Sequence, residues 1–116
     1  MRTTYAVSIR RPPDLALILR RIASKRGAGK PYVVADLLRD CLIAYTSVHV
    51  AYQRTAAFNG ARESTVYVRG NAQEHKYYLE LATNQGIALG QVLESAIMHH
   101  CGDDIAAWRR RDKQNV

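Results

Sequence analysis

Apolar and polar residues alternate strictly over Tyr5-Ala-Val-Ser-Ile-Arg10, with Tyr5, Val7 and Ile9 on one side and Ala6, Ser8 and Arg10 on the other. A period of two predicts a half-buried strand. Such a strand leaves backbone N–H and C=O groups unpaired and requires a partner. Ser64-Thr-Val-Tyr-Val-Arg69 repeats the alternation and is the expected partner. After each strand the apolar period becomes helical. Pro12-Pro13-Asp14 starts a helix that carries Leu15, Ile18, Leu19 and Ile22 on one face and ends at Gly27. Pro31 opens a second, through Leu37, Leu38, Cys41, Leu42 and Tyr45 towards Ala57. Past the Asn59-Gly60 break and the second strand, Asn71 caps a helix over 72–85 with Tyr78, Leu81 and Ala82 inward. Gly86 ends it, and a fourth helix is expected over 89–101. Gly102-Asp103-Asp104 then precedes a short terminal helix over 105–111.

The two halves repeat one pattern. An offset of 59 places Val7 on Val66, Ile9 on Val68, Arg10 on Arg69, Leu19 on Tyr78 and Ala23 on Ala82. Beyond the glycine turn the offset becomes 55, matching Leu37-Leu38 with Val92-Leu93, Cys41 with Ala96 and Leu42 with Ile97. The change falls in a turn, where length varies most freely. Glu74 stands where Leu15 does, so the third helix should bury less than the first. The expected division is a first copy at 1–58, a second at 59–104 and a basic tail at 105–116. A strand and two helices are too few residues for a stable core. Two copies solve this by pairing their strands antiparallel over four interlocked helices. The expected fold is mainly α with one two-stranded antiparallel β-ribbon, the two copies forming an intramolecular pseudo-dimer.

With Tyr5, Val7, Ile9, Val66 and Val68 turned to the helices, alternation leaves Ala6, Ser8, Arg10, Thr65, Tyr67 and Arg69 facing outward. A two-stranded ribbon fits the major groove of B-DNA, where Ser, Thr and Arg can hydrogen-bond base edges. Ala6 suits a thymine methyl, and Tyr67 offers a hydroxyl and a stacking face. Charge strengthens this picture. The chain carries +7, and residues 1–59 hold ten Lys and Arg against three acids, whereas residues 60–116 hold seven of each. A basic half beside a balanced one points to a polyanion-binding face.

Ala6-Val-Ser-Ile-Arg-Arg-Pro-Pro-Asp14, followed by a Leu/Ile helix and Gly27, resembles the ribbon-helix-helix repressors of the Arc/MetJ/CopG type. The resemblance spans about residues 3–101, and two copies in one chain are similar to the TraY-type accessory proteins of conjugative plasmids. It implies that alternate strand residues read bases, here Ala6, Ser8, Arg10, Thr65, Tyr67 and Arg69. It also implies phosphate contacts where each second helix begins, here Lys30 and Tyr32 in one copy and Leu89 and Gly90 in the other. Arg2 and Arg11 are further candidates for phosphate. Pro31 lacks an N–H, and Ala88 offers no side-chain cap. Fusion removes the exact two-fold, so an asymmetric DNA site is expected. The implied partner is double-stranded DNA, with further copies of the chain alongside. The implied role is transcriptional regulation; service in a plasmid-transfer complex and a protein-interaction module such as an antitoxin or adaptor are the alternatives.

Other constellations carry less. His99-His100-Cys101, with His49 and His75, lacks the paired i, i+4 spacing of a metal site, and His100 reads as half-buried core. No acid–base pair or phosphate-binding loop stands out, so neither catalysis nor a cofactor is expected. Cys41 and Cys101 sit at apolar helical positions and read as core thiols of a cytoplasmic protein. No apolar run reaches membrane-span length, and the N-terminus lacks a signal-peptide core. Val48–Phe58 and Trp108-Arg109-Arg110-Arg111 are candidate surfaces for a protein partner.

Overall fold

The structure is a computed structural model and describes residues 3–47, 58 and 62–114. Among these residues the order is β1 (Thr4–Arg10), α1 (Leu15–Gly27), α2 (Val34–Ser47), β2 (Glu63–Arg69), α3 (Ala72–Asn84) and α4 (Leu89–Gln114). β1 and β2 form a two-stranded antiparallel ribbon. Its register sets Val7 opposite Val66, Ala6 opposite Tyr67, and Ser8 opposite Thr65. Val7 and Val66 are also the residues that correspond under the 59-residue offset, so the register is symmetric about that pair. The ladder continues at both ends, where the Arg11 N–H donates to Arg62 O at 2.9 Å and the Gly70 N–H to Thr3 O at 3.1 Å.

Below the ribbon lies one core. Tyr5, Val7, Ile9, Val66 and Val68 point down into it, as alternation predicted. Leu37, Leu38, Cys41 and Leu42 of α2 meet Val92, Leu93, Ala96 and Ile97 of α4, all fully buried. Each large aliphatic removed from water contributes about 1.5–3 kcal/mol, so this double row is the main source of stability. α1 buries Leu15, Ile18, Leu19, Ile22 and Ala23, while α3 buries only Tyr78 and Ala82. Asn71 caps α3 by accepting the Glu74 N–H at 2.9 Å.

Two local expectations change, while α1 does end at Gly27 as expected. α2 begins at Val34 rather than at Pro31, which lies in the preceding turn. The Asp36 carboxylate accepts the Val33 N–H at 3.0 Å, and Gln91 Oε1 accepts the Ala88 N–H at 3.1 Å at the start of α4. Both helices therefore open with a side chain three residues in reaching back, one half of a capping box. Gly27 is still helical; the left-handed residues are Ala28 (φ 49°) and Gly29 (φ 88°). What Gly27 supplies is room, because a Cβ there would lie 2.8 Å from Tyr32 Cβ.

The second change is larger. α4 runs unbroken for 26 residues through Gly102-Asp103-Asp104, so 105–114 is helix and not a separate tail. Ile105 is in the core, and three ion pairs join α4 to α1 and the residue before it: Arg26–Asp104 at 2.9 Å, Arg109–Asp14 at 2.8 Å and Arg21–Asp112 at 3.1 Å. Trp108 packs on the core edge beneath the guanidinium groups of Arg21 and Arg111. The hydrogen bond from Arg109 holds the Asp14 carboxyl below its ordinary pKa. These contacts outweigh the roughly 1 kcal/mol that a mid-helix glycine costs.

Cys41 and Cys101 are buried, unbridged thiols whose sulfurs lie 3.7 Å apart between α2 and α4. The sulfur contact and burial push the Cys41 thiol upward. Both should resist iodoacetamide at pH 8 in the native protein and react fully in denaturant, because burial denies the reagent access to either sulfur. Labelling at equal rates with and without denaturant would contradict this packing. Among the described residues, no helix is long and apolar enough to cross a membrane.

Candidate nucleic-acid interface

The outer face of the ribbon is open. Thr4, Ala6, Ser8, Thr65 and Tyr67 are all exposed, Tyr67 by 58%. The register brings four of the proposed base readers together as two cross-strand pairs, Ala6 with Tyr67 and Ser8 with Thr65. A methyl, two hydroxyls and a phenol thus form one polar patch on a backbone braced from below by Val7, Ile9, Val66 and Val68.

Arg10 and Arg69 are not part of that patch. Arg10 bends around the end of the ribbon to Glu94 on α4: its Nη2 lies 2.6 Å from Oε1, its Nε 3.0 Å from the same oxygen, and its backbone N–H donates to Oε2 at 3.1 Å. The side chains are 15% and 4% exposed. Arg69 does the same at the other end, its Nε 2.9 Å from Asp36 Oδ1 on α2. Those side chains are 20% and 19% exposed. The reason lies in reach. Alternation fixes the side from which Cβ leaves a strand, but a long arginine at a strand end can turn back to a buried carboxylate. The expectation of two bare arginines on the outer face is therefore corrected. Each ties the end of one strand to the second helix of the other half of the chain.

The residues expected to hold phosphate also divide. Arg2 lies outside the described residues, as does Val48–Phe58 apart from Phe58, which is buried in the core. Tyr32 has its hydroxyl hydrogen-bonded to Asp40 and its N–H donated to Lys30 O at 2.7 Å, and burial with that carboxylate raises its phenol pKa. Leu89 is 6% exposed, and Gly90 is buried against the carbonyl of Ser8. Tyr32, Leu89 and Gly90 serve packing here. Arg11 is half-buried and Lys30 exposed.

Two cations that the sequence argument left aside join them. Arg20, on the outer side of α1, and Arg62, just before β2, are both exposed. Among the described residues, Arg11, Arg20, Lys30 and Arg62 form no ion pair, whereas Arg10, Arg21, Arg26, Arg39, Arg69 and Arg109 each have a carboxylate. Arg11 and Arg62 meet at one end of the ribbon through their backbones. Arg20 and Lys30 line an open groove beside β2 that Arg11 also enters. Four such cations thus lie at one end and one flank of the polar patch, while Lys25, Lys76, Arg110, Arg111 and Lys113, also without an ion pair among the described residues, stand on α1, α3 and α4 away from it. Ion-pair partners decide this separation, and they were invisible in a count of charges along the chain.

Of the four histidines, His49 lies outside the described residues, and the other three are placed as follows. His75 stacks on Tyr5 with ring centroids 4.5 Å apart, and His99 meets Tyr45 edge-on at 5.7 Å. His100 is half-buried, and desolvation lowers its pKa. No group of three or more His, Cys, Asp or Glu among the described residues is placed to hold a metal. Comparison of the chain with protein-family models, with curated proteins and with solved structures found no match.

Proposed function

We propose that this chain is a sequence-specific double-stranded DNA-binding protein that inserts its ribbon into the major groove and acts as a transcriptional regulator. On this reading it is a single-chain ribbon-helix-helix pseudo-dimer, each half supplying one strand and two helices. The symmetric register about Val7 and Val66 supports that plan, as do the crossed ties from Arg10 to α4 and from Arg69 to α2. One observation carries the function: an exposed polar patch of Ala6, Ser8, Thr65 and Tyr67 on the ribbon, flanked by Arg11, Arg20, Lys30 and Arg62, which pair with no acid among the described residues. The patch supplies base-edge donors, acceptors and a methyl contact, and the cations supply phosphate attraction. Because Ala6 faces Tyr67 while Ser8 faces Thr65, the two strands present different chemistry to the duplex. The preferred site is then not a perfect palindrome.

Selection from a random duplex pool tests this directly. A non-palindromic consensus is expected, and Tyr67→Ala or Thr65→Ala should relax preference at one position by about 1–3 kcal/mol. Lys30→Ala and Arg11→Ala should instead weaken all duplexes alike, each reducing the slope of log K against log salt by about 0.9. A pool that shows no enrichment at low salt would defeat the reading.

A further inference from the structure

Beside the ribbon, between α1, the α1–α2 turn and β2, lies an open groove of about 890 Å³. Its floor is apolar, made by Leu19, Ala23 and Val66, with Val33 at its mouth. Its rim carries Arg11, Arg20 and Lys30, which have no carboxylate partner among the described residues. Phosphate attraction explains the rim but not the floor: a DNA backbone presents charge and sugar, and gains little from aliphatic walls. The volume falls in the range of pockets for small organic ligands, which combine apolar lining with a few convergent polar groups.

We propose that this groove is a binding site for one amphipathic organic anion, an aryl or acyl body ending in a carboxylate, sulfonate or phosphate. The body lies against Leu19, Val33 and Val66, and the anionic end meets Arg20 and Lys30, with Arg11 within the same rim. Charge complementarity selects the sign of the ligand, because no acid lines the groove. Val33 is 49% exposed at its mouth, an apolar side chain left in water until a ligand covers it. Thr65 and Tyr67 belong both to the groove and to the outer face of the ribbon. A bound anion therefore contends with duplex for them. That contest rests on the DNA-binding reading; the site itself does not.

The test uses the full chain without DNA and 1-anilinonaphthalene-8-sulfonate as probe. One saturable site is expected. Arg20→Glu and Val33→Asp should each weaken it about tenfold, a change of about 1.4 kcal/mol. Leu79→Asp removes an equally exposed apolar residue on α3 and should leave it unchanged. Sodium sulfate at matched ionic strength should displace far less probe than decanoate below its micelle concentration, which separates an amphipathic site from a simple anion site. Anionic vesicles should compete no better than their monomer content allows; vesicle binding that exceeds it would make the site a membrane contact and overturn the proposal. Equal losses in Leu79→Asp, or none in Arg20→Glu and Val33→Asp, would overturn it as well. If duplex selection fails while the probe still binds with this pattern, the DNA reading falls and the site stands.

Discussion

Glu94→Ala is expected to destabilise the protein by about 3–5 kcal/mol, the usual cost of leaving one member of a buried ion pair without its partner. Glu94 is 3% exposed as a residue, and its carboxylate receives three hydrogen bonds from Arg10, two from the guanidinium and one from the backbone. Removing it takes three hydrogen bonds from the half-buried Arg10, including the one to its backbone N–H at the last residue of β1. Marginal domains have only about 5–15 kcal/mol in total, so urea unfolding should show a large fall in midpoint. Asp36→Ala, at the more exposed Arg69 pair, should cost clearly less. Arg10→Met combined with Glu94→Leu should recover much of the Glu94→Ala loss, because the desolvation penalty goes with the charges. A Glu94→Ala loss below about 1 kcal/mol would mean that the pair does not hold the ribbon to α4.

That pair also marks the limit of what alternation can tell. Inward and outward sets of both strands were legible, and so was the existence of each helix, because burial on a ribbon over helices follows periods of two and 3.6. The core rows on α2 and α4 were legible from the repeat. The fate of Arg10 was not, because its partner lies 84 residues away and on a helix whose own pattern there is apolar: Glu94 sits in a run with Val92, Leu93, Ser95, Ala96 and Ile97, all buried. A lone carboxylate inside such a run is the signal that could have found it. The break expected at Gly102-Asp103-Asp104 failed for a related reason. Local stop signals are worth about a kilocalorie, and Asp104, Arg109 and Asp112 are engaged instead with Arg26, Asp14 and Arg21 at the other end of the sequence.

At the candidate site the same distinction holds. Ala6, Ser8 and Thr65 stand where alternation placed them, since short side chains on mid-strand positions have nowhere else to go, and the ring of Tyr67 stands out from the same face. The cations rearranged, because a long side chain goes to the nearest carboxylate. What remains unpaired is a property of the fold as a whole. Arg20 and Arg62 emerge on the ribbon flank only once the acids have been assigned to other partners.

A second large effect is expected one turn before Glu94, at Gly90. A Cβ added there would fall inside the van der Waals sphere of the Ser8 carbonyl oxygen and 3.1 Å from its carbon. Both obstacles are backbone, and they belong to the middle of a ribbon whose ladder fixes them. No rotamer change relieves the clash, so either α4 withdraws or β1 bows. Gly90→Ala should therefore cost at the upper end of the roughly 1–3 kcal/mol typical of overpacking, or beyond it. Gly102→Ala in the same helix provides the opposite sign. There the nearest atom is Met98 Cε at 3.5 Å, an ordinary contact, and replacing a mid-helix glycine should stabilise by about 0.4–1 kcal/mol. Two identical substitutions twelve positions apart on one helix should thus move the urea midpoint in opposite directions. Because β1 carries Ser8 on its outer face, a bowed strand in Gly90→Ala would also misplace that hydroxyl; under the proposed DNA-binding function, duplex preference should then blur at one position while Gly102→Ala leaves it sharp. A Gly90→Ala protein as stable as its parent would show that α4 does not press on the ribbon there, and the proposed reading face would lose that support from below.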